Sequence, residues 1–252
     1  MRCLVVYGSP RKGNSWRVVQ LIKDELLRLG SIEFDEVMLS DMDIPLCRGC
    51  HMCFIRGEEK CPHSQVVQEI AGKVEKADCL IVSSPVYVLS LSGLLKNWLD
   101  HMGFNWHRPR YFTKKALVVT TTAGAGAYGT ARYVRDNLKH WGFNKVYSLP
   151  IACRSLDYEP AENARTRIRK ISQAFYNDVA SGKLHPPTPK RVFFFNVWRA
   201  NGAVGEPDSA DSRYWRESGL ESRLFAPDLA VSPINRVMGS LTYSMFKKAM
   251  RP

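Results

Sequence analysis

No stretch of this 252-residue chain is apolar for long enough to cross a bilayer. Its first residues enter a strand pattern at once, Arg2 to Tyr7, which leaves no room for a signal peptide. Internal repeats and low-complexity tracts are absent, so a repeat array is excluded. Lys and Arg outnumber Asp and Glu 36 to 24, a net charge of +12, yet no long Lys/Arg run appears. A nucleic-acid or membrane partner is therefore not expected, and the excess charge reads as solvated surface, some of it beside an anionic ligand. The loop at residues 8–15 is neither G-x-G-x-x-G nor G-x-x-x-x-G-K-[ST], which argues against a dinucleotide held there in Rossmann style. No Ser-His-Asp set can be argued from spacing. The expectation is a soluble, cytoplasmic chain, and seven cysteines there point to metal or redox chemistry over a disulfide scaffold.

What is present is a regular alternation of strand and helix patterns. Residues 2–7 are a continuous apolar run, as for a strand buried on both faces. A helix follows from about Ser15 to Leu29, with Val18, Val19, Ile22, Leu26 and Leu29 as its apolar stripe and Gly30 as its stop. Further strands are expected at 33–39, 79–83, 116–121 and 145–152, and further helices at 64–76, 93–102, 128–141 and from about Pro160 to Gly182. Ser64 is the expected N-cap of the second helix. Five β/α units in succession predict an α/β fold with a doubly wound, five-stranded parallel sheet in the flavodoxin-like order 2-1-3-4-5. Residues 1–182 form this domain, with a cysteine loop at 41–63. Residues 183–252 read as a C-terminal extension that packs on the domain or on a partner subunit. Within it 191–198 read as a short strand or apolar tether, 200–236 as irregular and 237–250 as an amphipathic helix, with too little pattern for a core of its own.

Three loops at strand ends carry chemistry. Gly8-Ser-Pro-Arg-Lys-Gly-Asn-Ser15 joins the first strand to the first helix. The helix start offers unpaired N–H groups and the positive end of a dipole; Ser9, Asn14 and Ser15 add donors, and Arg11 and Lys12 add charge. Together they suit a phosphate monoester. After the third strand, Pro85 stiffens a turn in which Val86 and Tyr87 can flank a flat ring. After the fourth, Thr120-Thr-Thr-Ala-Gly-Ala-Gly-Ala-Tyr128 offers hydroxyls and close backbone approach.

On GSPRKGNS, SSPVYVLSLSGLLKNWLD and the Thr/Gly loop, the chain resembles the NADPH-dependent FMN reductase family of the flavodoxin-like superfamily over roughly residues 1–180. The resemblance implies that Ser9, Arg11, Asn14 and Ser15 hold the FMN phosphate. Pro85, Val86 and Tyr87 would line the isoalloxazine, and Thr121, Thr122 and Gly124 would close its other side. It also implies a homodimer or homotetramer with flavin sites near subunit interfaces.

Cys47, Cys50, Cys53 and Cys61, spaced C-x2-C-x2-C-x7-C, follow the second strand. With them the chain looks most like the iron–sulfur flavoproteins, its last gap at the long end of their range. C-x2-C-x2-C is a ligand run for a [4Fe–4S] cluster. No second cysteine set exists, so Cys61 would complete the same cluster. Zinc is a chemical rival, and redox-active or idle thiols are a third reading, since plain flavin reductases carry similar cysteines. His51 and His63 could serve as ligands but read better as solvated loop residues, and Asp100-His101 could hint at proton transfer but reads better as a cap or surface pair. The implied activity is an FMN-dependent oxidoreductase moving electrons between NAD(P)H or a ferredoxin-type donor and a small-molecule or protein acceptor. A cluster-free NAD(P)H-dependent FMN or quinone reductase is the alternative, and a non-enzymatic thiol-based redox sensor is the third.

Overall fold

The computed structural model describes residues 1–154 and 159–250. In chain order the elements are β1 (Arg2–Tyr7), α1 (Asn14–Leu29), β2 (Glu33–Met38), α2 (Met52–Ile55), α3 (Ser64–Lys76), β3 (Cys79–Tyr87), β4 (Ser90–Leu91) and α4 (Gly93–His101). There follow α5 (Phe104–His107), β5 (Lys115–Thr122), α6 (Ala127–His140), β6 (Lys145–Ala152), α7 (Glu162–Ala180), α8 (Pro189–Val204), α9 (Ala210–Glu217) and α10 (Pro233–Ala249). The sheet runs β2-β1-β3-β5-β6 and its long strands pair in parallel. Counted along the chain, these five are in the expected 2-1-3-4-5 order. The two-residue β4 is additional and pairs antiparallel with the end of β3.

Period-two alternation divides the core between the two faces of the sheet. Cys3, Val5, Tyr7, Ile81, Leu117 and Val119 face α1 and α7. Leu4, Val6, Leu80, Val82, Ala116 and Val118 face α3, α4 and α6, where Trp98 and Trp141 meet edge to face. Both faces are therefore covered, as a parallel sheet requires. Each fully buried Val or Leu side chain contributes about 1.5–3 kcal/mol. No described helix is long and apolar enough to cross a membrane.

Two local expectations change, one at a strand end and one at a helix cap. β3 runs four residues past Ser83, because Ser84 and Pro85 still pair with Thr120 and Thr121 of β5. Pro85, Val86 and Tyr87 thus sit on an extended strand end that folds back as a hairpin, and not in an open turn. Ser64 lies inside α3, and His63 occupies the N-cap without a side-chain cap bond.

The extension departs furthest from expectation. The apolar run at 191–198 is helical within α8, and α9 and the start of α10 occupy the stretch read as irregular. Pro189 sits in the first turn of α8 and suits its geometry. α8 packs against α6, α9 and α10 on different sides, so it is apolar most of the way round and shows no clear 3.6 period. Val192, Phe195, Trp215, Leu220, Phe225, Ala226 and Leu229 make a small core of their own. Arg191 fastens it to the sheet domain by donating to the carbonyls of Asn144 (2.8 Å) and Gly142 (2.9 Å).

A buried ion network makes the second fastening. Arg108 is 2 % exposed and donates to Asp211 of α9, to Glu58 (2.7 Å) and to the Cys53 carbonyl (2.8 Å). Arg110 adds a bond to Glu58 at 3.0 Å, and His107 lies 2.5 Å from Asp211. Two guanidinium groups thus face two carboxylates between the extension and the cysteine loop. Burial raises the Glu58 carboxyl pKa, but Arg108 and Arg110 outweigh it and hold the group below its ordinary value of 4.5.

Two outcomes follow from this packing. Asp211→Ala leaves Arg108 under-compensated, with an expected cost of about 3 kcal/mol. A lower urea midpoint and faster alkylation of Cys53 would show it; unchanged values would mean the network carries no load. His140 stacks on Trp106 at 3.8 Å. Burial, then the charge of Lys190, pushes its pKa from 6.5 down to about 4. Across that window the unfolded chain binds a proton that the folded chain does not, so stability should fall as pH drops from 6.5 toward 4. His140→Phe keeps a stacking ring and removes the proton, and its stability measured by denaturant titration should fall less over the same window.

Candidate functional site

The three strand-end loops converge on one crevice of about 550 Å³. Tyr7 pairs with Ser83, and Ser83 with Val119, so β1, β3 and β5 end at one level of the sheet. Gly8 leaves β1 with its N–H on the Ser83 carbonyl (2.8 Å). A Cβ there would lie 2.7 Å from the Leu95 Cβ, so only glycine lets the chain pass α4. Ser92, the N-cap of α4, donates to the Gly8 carbonyl. Ser15 Oγ lies 2.6 Å from Thr121 Oγ1 and ties the first turn of α1 to the β5 loop. Ser9 donates to the Arg11 carbonyl (2.6 Å) and holds the turn.

The start of α1 suits an anion. Its N-cap, Gly13, supplies no side-chain cap, and its first turn holds no acid. Arg11, Lys12, Arg17 and Arg154 line the crevice, and no carboxylate does so among the described residues. Pro85, Val86 and Tyr87 form one wall; Thr121, Thr122 and Ala123 form another. Gly124 lies one residue beyond that lining, in a turn where its N–H donates to Thr122 Oγ1 (3.2 Å). Cys153 is buried and also lines the crevice.

The hairpin beside the crevice is strained. Val88 (φ 47°) and Leu89 (φ 62°) both occupy the left-handed region at its tip. A two-residue turn of this kind favours Asn-Gly, and a β-branched residue there is an outlier. Val88 is nevertheless 98 % exposed, so no burial explains its choice. Gly126, which starts α6, takes the close approach of the hairpin: a Cβ there would meet Leu89 Cα at 2.9 Å.

All four cysteines of the block line a second cavity, of about 270 Å³. Cys47 and Cys50 are exposed, and Cys53 and Cys61 are half-buried. α4 clamps the start of the loop. The Asn97 amide accepts from Cys47 N–H (2.9 Å) and donates to the Ile44 and Pro45 carbonyls (3.0 Å each). His101, one turn further on, is 4 % exposed and also faces this cavity. Its Nε2 lies 2.8 Å from the Pro45 carbonyl and its Nδ1 3.8 Å from Cys61 Sγ. A carbonyl only accepts, so Nε2 carries a proton. Burial pushes the Cys53 thiol up to about 11, with Arg108 pulling it down and Cys61, Cys47 and Cys50 adding to the rise. Neighbouring sulfurs that oppose the ionisation of Cys53 belong to a donor set that a cation would relieve.

The histidine readings need correction. His101 is not a cap or surface pair; only Asp100 is, bound to Lys96. His63 is half-buried and lines the cysteine cavity. Asn97 and His101, four apart on one helix face, were the available signal. Arg108 and Asp211 had none, being 103 residues apart.

A family model for NADPH-dependent FMN reductase matches residues 1–158. An iron–sulfur flavoprotein of Archaeoglobus fulgidus is 28 % identical over 225 residues, covering 87 % of this chain and 100 % of that protein. One from Methanocaldococcus jannaschii is 37 % identical over 193 residues, covering 69 % of this chain and 96 % of its own length. Among solved structures, an FMN-dependent NADH-azoreductase from Bacillus anthracis in complex with FMN superposes with a TM-score of 0.55 at 15 % identity, over 70 % of this chain and 100 % of that one. That last likeness carries the fold alone, whereas the family match spans the crevice and the cysteine loop together. This chain therefore belongs to the NADPH-dependent FMN reductase family of FMN-dependent oxidoreductases.

Proposed function

We propose that the chain is an electron-transfer oxidoreductase in which the crevice holds FMN and the four cysteines hold a [4Fe–4S] cluster. One observation carries the reading: α4 joins the two sites. Its N-cap Ser92 bonds the loop at the start of α1, and its last residue, His101, faces the cysteines. A nine-residue helix is only about 12 Å long, so two redox groups at its ends would be close neighbours. The iron–sulfur names of the relatives from Archaeoglobus and Methanocaldococcus agree with this.

In this reading Ser9, Arg11, Asn14 and Ser15 hold the phosphate, where uncapped N–H groups and cations already converge. Pro85, Val86 and Tyr87 flank the ring on one side, and Thr121, Thr122 and Gly124 close the other. Bound FMN exchanges electrons in pairs or singly and a cluster exchanges them singly, so together they would link NAD(P)H or a ferredoxin-type donor to a one- or two-electron acceptor. The protein's own contribution is placement and charge: cations for the phosphate, α4 and Arg108 to hold the cysteine loop. Residues 1–182 carry both groups, and residues 183–252 brace the loop through Asp211. The working unit is a homo-oligomer. The exposure of Cys47 and Cys50 favours a second reading, a cluster-free NAD(P)H-dependent FMN or quinone reductase with reactive thiols.

Anaerobic purification followed by a visible spectrum and iron and acid-labile sulfide assays decides between them. The expected result is FMN with about four iron and four sulfide per chain, the iron lost and FMN retained in Cys53→Ser. FMN alone, even after anaerobic reconstitution, would leave the cluster-free reductase. Arg11→Ala should weaken FMN binding about tenfold, or about 1.4 kcal/mol, in a fluorescence titration; an unchanged affinity would move the phosphate elsewhere.

A further inference from the structure

The cysteine cavity contains a second set of ligands that shares only Cys61 with the four-cysteine reading. One ligand atom each from Cys61, His63 and His101 lie within 4.8 Å of one another. They come from three segments: the end of the cysteine loop, the N-cap of α3 and the last residue of α4. His101 donates its Nε2 proton to the Pro45 carbonyl, which leaves the lone pair of a neutral ring on Nδ1, toward Cys61. Metal-ligating histidines are held in this way, one nitrogen on a backbone carbonyl and the other on the metal. His63 has a buried Nδ1 with no hydrogen-bond partner among the described residues. Asp100, which also lines the cavity, is engaged by Lys96 and adds no oxygen ligand.

We propose that Cys61, His63 and His101 form a mononuclear site for a first-row divalent cation of the zinc type, with its fourth position open to water. One thiolate and two imidazoles match the ligand preference of such ions. In a tetrahedral zinc site, neighbouring sulfur and nitrogen ligands stand roughly 3.5 Å apart. Cys61 Sγ and His101 Nδ1 are 3.8 Å apart, so this pair closes with a movement of a few tenths of an ångström. The cation would fasten the loop end to α3 and α4 without Cys47, Cys50 or Cys53. Because both ligand sets need Cys61, this site and the cluster exclude one another in the same chain. The site stands on its own geometry and does not depend on the cluster forming.

The test is titration of the full-length, chelator-treated chain with Co2+ under anaerobic conditions, followed by displacement with Zn2+. One Co2+ per chain is expected, with tetrahedral visible bands and the near-ultraviolet intensity of a single thiolate. Cys61→Ser should remove that intensity, and His63→Gln should weaken binding by about tenfold or more. Cys47→Ser should leave the titration unchanged while abolishing iron and sulfide uptake on reconstitution, which separates this site from the cluster. His101 is buried and its variant could misfold, so the half-buried His63 carries the histidine arm, with circular dichroism as the folding check. Intensity of several thiolates that disappears in Cys47→Ser, unaltered affinity in His63→Gln, or no Co2+ uptake by the folded wild-type chain would each overturn the proposal.

Discussion

Parallel pairing of β1, β3 and β5 is the constraint from which the sites follow. Because Tyr7, Ser83 and Val119 lie in register, three strands deliver their loops to the same edge of the sheet. A crevice at that edge is the usual ligand position in an open α/β sheet. The loops are then locked together by few contacts: Gly8 on Ser83, Ser92 on Gly8, and Ser15 against Thr121. At Gly8 there is no room for a Cβ beside Leu95, and the other two contacts are made by short hydroxyl side chains. The uncapped start of α1 completes the site, since its N–H groups are left facing a crevice lined by cations.

The cysteine loop has little regular structure of its own and depends on its neighbours for shape. Asn97 and His101 hold its beginning through three backbone groups and reach its end at Cys61. Arg108 holds its middle at the Cys53 carbonyl and is itself neutralised by Glu58 and Asp211. A buried guanidinium is costly when unpaired, and here its hydrogen bonds are shared between two carboxylates and a carbonyl. The result couples the extension to the loop: α9 supplies a carboxylate to a network that ends at a cysteine. The extension is thus more than a cover for the sheet.

Strained backbone is concentrated near the chemistry. Val88 and Leu89 stand in left-handed conformations beside the crevice, and His51 does so within the cysteine loop. Such conformations persist only where surrounding structure holds them. For Val88 and Leu89 the hold is the β3–β4 pairing and the packing of Leu89 on Gly126.

The sequence by itself determined the sheet. Strand patterns alternating with amphipathic stripes announced five parallel strands, β1 as a continuous apolar run, and the polar and glycine-rich loops marked most of their ends; both are local patterns set by burial and backbone freedom. It also displayed the four cysteines, since ligand spacing in one loop needs no knowledge of the fold. Tertiary structure decided the rest. The run around Phe193–Phe195 became a helix because α8 is buried on several sides, which erased its period. β3 extended through Pro85 because β5 continued to pair with it. His101 turned from surface residue to cavity wall only because the cysteine loop folds over the end of α4. Arg108 and Asp211 met across 103 residues, a contact no local pattern encodes. Short-range burial is written in residue order, whereas ion pairs and ligand sets assembled from distant segments exist only once the chain has closed on itself.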